Sequence, residues 1–161
     1  MSNPLSVAAL ATFPEGPAQG TDNLTALANN KALGLGALGT AVTQYYDDNI
    51  APIQIKTGAS AVNGVVSLYL VCSEDGSIWT NGIDPNTTSD QSGKLGQLEP
   101  VVPPLAVAQN ATTFTFPEFS VYSVLGFMPS FWAVVVFNQS GQTLDSTAGN
   151  FYAKHSLVSY V

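Results

Sequence analysis

The sequence has no arginine. Four lysines are its only permanent side-chain cations, set against eleven acidic residues, for a formal net charge of −7. Proteins that hold nucleic acid neutralise phosphates with Lys and Arg and read guanine with the forked guanidinium, so nucleic acid is not expected as a partner. The same sign argues against an anionic membrane surface. Charge of either sign is scarce: 9% of residues carry it, where an ordinary soluble chain has about a quarter. Ser, Thr, Asn, Gln and Gly stand in its place, a composition that suits short strands, polar turns and a surface partly covered by neighbours.

Cysteine and histidine occur once each. Cys72 alone can form neither an intramolecular disulfide nor a thiolate metal site, and the expectation for it is a small buried hydrophobe in a strand. Any Ser-His-Asp or Cys-His chemistry would have to use His155, yet no nucleophile motif of the G-x-S-x-G kind is present. Its neighbours at strand spacing, Phe151, Ala153 and Leu157, put the imidazole on an apolar face. No apolar run approaches the ~20 residues of a spanning helix. The first ten residues, MSNPLSVAAL, have no basic region ahead of their short apolar stretch, so a soluble, unprocessed protein is expected.

What the sequence does have is strand pattern. In Gly64 to Asp84, Val66, Leu68, Leu70 and Cys72 alternate with Val65, Ser67, Tyr69 and Val71, which is a strand apolar on both faces. Ser73 to Ser77 supplies turn residues, and Ile78-Trp79-Thr80 reads as the return strand of a hairpin. Phe131 to Asn138, FWAVVVFN, is again two-faced. Isoleucines alternate inward in Ile53 to Thr57, and strands are expected at Ala41 to Tyr46, Thr113 to Phe116, Phe119 to Ser123 and Phe151 to Val161. Pro103 and Pro104 mark an edge segment or connector. Eight or nine strands with Gly, Pro and Asn punctuation indicate an all-β sandwich or barrel, and that number favours a jelly-roll-like antiparallel β-sandwich. Because every aromatic residue except Phe13 lies at Tyr45 or later, residues 1–40 read as an extended N-terminal arm and residues 41–161 as the sandwich domain. Gly82 to Glu99 reads as a long exposed loop, in which Asn86→Ala or Asp90→Ala would change little.

The carboxylates offer weak chemistry. Asp47/Asp48, Glu74/Asp75 and Glu118 could in principle pair for glycoside hydrolysis, but adjacent strand residues point to opposite faces and both pairs read as turns. Asp84 to Asp90 has oxygen ligands at alternate positions, without the glycine and distal glutamate of a calcium loop. Asn-x-Ser/Thr patterns at Asn23, Asn86, Asn110 and Asn138 are what a Ser/Thr/Asn-rich chain produces by chance. Trp79, Tyr45 and Tyr46 lie near expected turns and could stack on sugars, with core or interface packing the default. No catalytic, cofactor-binding or metal-binding residues are expected, and the protein is not expected to be an enzyme.

Tyr46-Asp47-Asp48-Asn49, the strand at Ile53 to Thr57, VSLYLVCSEDGSIWTNGID and the late FWAVVVFNQSGQTL together resemble small structural proteins of tailed bacteriophages. In that group a YDN-type start precedes a VELYLL-type strand, a DG turn, Y/W-T-D/N-G, and a late G-x-W-x-V-x-V-x-N-x-T/S-G. The resemblance spans Tyr45 to Gly141. It implies a jelly-roll or related sandwich on the virion: a capsid cement or decoration protein, or a head or tail accessory subunit, binding other virion proteins. A homo-oligomer is expected with it, a trimer on a capsid lattice, because strands apolar on both faces call for a second covering. The alternative is a carbohydrate-binding adhesin module that contacts the host surface. A glycan hydrolase comes third.

Overall fold

The computed structural model describes residues 5–7, 11–12, 24–39, 45–50, 52–60, 63–147 and 149–160. Among them the chain forms β1 (Leu5–Val7), β2 (Ala11–Thr12), β3 (Lys31–Gly34), β4 (Leu38–Gly39), β5 (Tyr45–Ile50), β6 (Gln54–Lys56), β7 (Gly64–Ser73), β8 (Leu105–Val107), β9 (Thr113–Thr115), β10 (Phe119–Ser120), a short helix α1 (Val121–Leu125), β11 (Phe131–Gln139) and β12 (Lys154–Tyr160). The strand expected from Ala41 is described only from Tyr45; residues 41–44 lie outside the described set.

The two apolar runs find each other. β7 and β11 pair antiparallel from Phe131 opposite Ser73 to Gln139 opposite Val65, and they form the centre of a five-stranded sheet of order β3-β11-β7-β8, with β4 also on β11. A second five-stranded sheet runs β1-β12-β5-β10, with β2 also on β12, and β6 pairs with β9 as a separate ribbon. All of these pairings are antiparallel. The result is an all-β sandwich. Its main core joins Leu68, Trp132, Val134 and Val136 of one sheet to Ile50 of the other, with Ile53, Ile55 and Phe116 from the ribbon segments. The inward isoleucines and both alternations are therefore as the sequence reads, and β8 is an edge strand, one of the two readings that the prolines before it allow.

The other face of the β7–β11 pair carries Tyr69, Val71, Phe131, Ala133, Val135 and Phe137, and it builds a second core with Trp79, Ile83, Leu95 and Leu98. The chain covers its own second face. The two-sided strands thus give no ground for a neighbouring subunit there, and the reading of Gly82 to Glu99 as an exposed loop holds for polar positions such as Asp84, Asp90 and Lys94 but is corrected at Ile83, Gln91 and Leu95, which are buried.

That loop also closes the free edge of β3. Ala32 N–H donates to Asp90 Oδ1 at 3.0 Å and Gln91 N–H to Ala32 O at 2.8 Å. Further along, Gly36 N–H donates to Pro85 O at 3.2 Å and Ala37 N–H to Asn86 Oδ1 at 3.0 Å. Covering an edge in this way removes a template for unwanted strand pairing. It demands glycine at Gly34, where a Cβ would stand 2.5 Å from the Pro85 backbone. Asp90 also accepts from Ser92 N–H, Ser92 Oγ and Lys31 Nζ, each at 2.9 Å. Partial burial pushes its pKa up, but the Ala32, Ser92 and Lys31 donors outweigh burial and hold it far below the usual carboxylate range. Asp90→Ala is accordingly expected to cost about 1–3 kcal/mol, chiefly by stranding the N–H of buried Ala32. Because the folded pKa is depressed, the stabilisation is complete above the unfolded value of about 4 and is lost as pH falls through the folded one. Urea midpoints at pH 7, 4 and 3 should therefore fall more steeply for wild type than for Asp90→Asn. Parallel curves, or an alanine variant within about 0.5 kcal/mol of wild type at pH 7, would show that the loop is not clamped.

The division at residue 40 is also corrected. β3 and β4 are strands of the central sheet, β1 and β2 pair with β12, and Leu24, Leu27, Leu35 and Leu38 are buried in the main core. Asn138 anchors this segment. Its buried Nδ2 donates to Leu27 O and Gln142 O, both at 2.8 Å, and its Oδ1 accepts from Ser140 N–H at 3.0 Å. With both amide hydrogens used internally, Asn138 is no glycosylation acceptor in the folded protein.

Two local readings change as well. Ile78-Trp79-Thr80 is not a return strand: β7 takes its ladder partners from β11 and β8. Instead Thr80 Oγ1 donates to Cys72 O at 3.1 Å and accepts from Cys72 N–H at 3.2 Å, and a single 3-10 turn, Thr80–Gly82, follows. Phe119 to Ser123 begins as β10 but turns into α1. Ser120 caps it by accepting from Ser123 N–H at 2.9 Å, and Gly126 ends it at φ 79°, a left-handed conformation that glycine takes without strain.

Candidate functional site

The chemistry that the chain possesses radiates from β5. Asp47-Asp48-Asn49 is not a turn, as the acids suggested, but the middle of this strand. Opposite it, Asp47 pairs with Val158 while Tyr45 pairs with Ser159, so Tyr46 is an extra residue, a β-bulge. A bulge re-aims side chains. Here Tyr45 packs against the main core, its ring edge-on to Trp132 at 6.3 Å, and Tyr46 is turned out to the surface.

Inside the sandwich, Asp48 is fully buried and His155 is 8% exposed. Trp132 Nε1–H donates across the core to Asp48 Oδ2 at 2.7 Å. His155 Nδ1 lies 3.0 Å from Oδ2 and 3.2 Å from Oδ1, the separation at which a protonated Nδ1 donates to a carboxylate. His155 thus sits among the core residues, as its apolar neighbours imply, but with a buried acid as partner that the sequence reading did not assign. A carboxylate that orients an imidazole is part of a hydrolytic triad. In this chain the pair is buried and also bonded to an indole of the facing sheet, which ties the sheets together.

Outside, the bulge creates something different. Tyr46 stacks on Tyr122 of α1, with ring centroids 5.7 Å apart and planes inclined by 14°. Asp47 supports the arrangement from β5, accepting from Ser120 Oγ at 2.6 Å and Tyr122 N–H at 2.9 Å. The chain continues through exposed Val124 to Phe127, 48% exposed, and Phe127 shares a cleft of about 440 Å³ with Ile78, 78% exposed. Cys72, Ser73, Glu74 and Asp75 complete the lining. The five large hydrophobic side chains that are exposed among the described residues are Tyr46, Tyr122, Val124, Phe127 and Ile78. Sequence reasoning missed Tyr122 and Phe127 because the stretch around them was read as a strand and a break.

The turn that presents Ile78 is held by its own side-chain hydrogen bonds. Asp75 Oδ1 accepts from Ser77 N–H and Ile78 N–H, both at 2.8 Å, and from Ser73 Oγ at 3.0 Å. These donors, Ile78 N–H foremost, hold the Asp75 carboxyl below the usual range. Glu74 is exposed and accepts from Ser130 Oγ at 3.1 Å. Cys72 is half-buried rather than buried, with its Sγ 3.6 Å from Thr80 Oγ1.

The remaining candidates are occupied elsewhere. Trp79 is buried in the second core, its Nε1–H donating to Gly76 O at 3.1 Å. In the stretch that resembles a calcium loop, Asp84 Oδ1 accepts from Asn86 N–H, Asp90 Oδ1 holds the β3 edge at Ala32, and Asn86 Oδ1 holds Ala37 just beyond β3. Among the described residues no group of three or more His, Cys, Asp and Glu side chains is placed to hold a metal ion. No helix among them is long and apolar enough to cross a membrane. The chain matches no protein-family model and no curated protein sequence.

Proposed function

We propose that the protein is a structural subunit of a bacteriophage virion, a jelly-roll-type cement or decoration protein or a head or tail accessory subunit, which attaches to other virion proteins through the surface around Ile78 and Phe127. One observation carries the docking part: Ile78 and Phe127, the two most exposed large hydrophobics of the described residues, line one cleft together. Scattered apolar residues need no explanation, whereas a contiguous patch marks an interaction surface. The virion setting is drawn from the sequence resemblance. Specific association needs ~1,600 Å² of buried surface, of which such a patch would be the centre, and repetition on a lattice adds avidity.

The test is to strip the protein from particles, add back wild type, Ile78→Ser or Phe127→Ser, and measure rebinding. Both side chains are exposed, so the variants should melt with wild type. A central contact contributes about 2 kcal/mol or more, so each variant should bind at least ~30-fold more weakly. Unchanged rebinding would remove the patch from the interface. The stacked, exposed Tyr46 and Tyr122 favour one second reading, a carbohydrate-binding surface; specific glycan-array signals lost in Tyr122→Ala would support it over the first.

A further inference from the structure

The proposed docking surface has a sign as well as a shape. Ile78, Phe127 and Cys72 give the cleft its apolar lining, and Glu74 and Asp75 stand along one wall. Asp75 is committed to the ionised form by the N–H groups that it caps. No lysine lines the cleft, and all four are engaged elsewhere. Lys31 pairs with Asp90 at 2.9 Å and Lys56 with Asp145 at 3.8 Å. Lys94 donates to Gly82 O at 2.8 Å and Gln91 Oε1 at 2.9 Å, and Lys154 lies over the Tyr152 ring at 5.3 Å.

We infer that this cleft receives a bulky apolar side chain of a different protein, carried on a segment whose flanking residues are Lys or Arg. The inference rests on the docking role proposed above and adds the partner's chemistry. A second copy of the chain fits poorly. In a two-fold contact the patch is used twice, so the two clefts would bring four carboxylates and no lysine into one interface, and an excess of like charge there costs affinity. A basic-flanked side chain instead fills the apolar space while its cations meet the acidic wall. A volume of about 440 Å³ is within the ~300–1,000 Å³ of sites that enclose compact ligands. Glu74 is the residue to change, because Asp75 holds the turn.

The experiment uses two soluble synthetic peptides, one with a central tryptophan flanked by two lysines on each side and its twin with glutamates, titrated into the full chain while backbone amide shifts are followed. The lysine peptide should move the amides of Ser73, Glu74, Asp75, Ile78 and Phe127. It should bind at least ~10-fold more tightly than its twin at about 0.05 M salt, and lose most of that advantage at about 0.5 M, where the screening length is a few ångströms. Glu74→Lys should abolish the preference and Glu74→Gln should reduce it, with no change in melting temperature. Equal binding of both peptides at the cleft, or failure of either to move those amides, would overturn the inference. So would concentration-dependent dimerisation that Phe127→Ser abolishes. The particle-rebinding test reports separately: a lysine preference that depends on Glu74, together with full rebinding of Phe127→Ser to particles, would uphold the cleft's chemistry and reject the virion docking role.

Discussion

Asp48→Ala should lower the free energy of unfolding by about 2–5 kcal/mol, because it strands two buried hydrogen-bonding partners at about 1–3 kcal/mol each. The side chain is fully buried, and its removal leaves Trp132 Nε1–H and His155 Nδ1 facing a void in the sandwich. Asp48→Asn separates the charge from the hydrogen bonds. Its carbonyl can accept from Trp132 and its amide can donate to an unprotonated Nδ1, so the expected loss is smaller, about 1–2 kcal/mol. Trp132→Phe removes one donor and leaves the acid its imidazole, and should fall between wild type and Asp48→Ala. Urea unfolding at neutral pH decides the matter. An alanine variant within about 1 kcal/mol of wild type would mean that Asp48 faces water rather than Trp132, and a strand register one residue out would produce that result.

The strands that carry the sandwich were legible because β7 and β11 alternate on both faces, and a two-faced strand reads the same whichever sheet it joins. What covers the second face was not legible. Trp79, Ile83, Leu95 and Leu98 are spread through a polar stretch at no strand or helix period, and only the fold brings them onto Tyr69, Val71, Ala133 and Val135. Asp48 was hidden by its own chemistry. Two acids and an asparagine in a row favour a turn locally, and the partners that overrule this, Trp132 and His155, lie 84 and 107 residues away. The candidate docking surface was half legible. The Ser73 to Ser77 turn could be read directly, but Ile78 after it reads as the start of a return strand, and the exposure of Tyr46 depends on a bulge defined by the register against β12. Phe127 depends on α1, whose signals were the Ser120 cap and the Gly126 stop rather than any periodicity of its five residues.

Deleting residues 1–39 should abolish the cooperative fold. The segment looks like an arm because it has one aromatic residue and many small ones, but its leucines are placed where a core needs them. Leu24 and Leu35 are fully buried, and Leu27 and Leu38 are buried to within 5%. Emptying one buried leucine site costs about 2–5 kcal/mol, so losing four would match or exceed the ~5–15 kcal/mol that holds an ordinary domain together. The backbone loses as much. Val135, Val136, Phe137 and Asn138 of β11 would lose β3 as their partner, β12 would lose β1 and β2, and the loop carrying Asp90 would lose the edge that it clamps. Asn138 would keep Gln142 O but not Leu27 O, leaving a buried amide half satisfied. The truncated chain is expected to show no sigmoidal melt by circular dichroism and collapsed amide dispersion by NMR. A truncated chain with a cooperative melt within a few degrees of wild type would show that Leu24 to Gly39 docks on a finished sandwich instead of completing it.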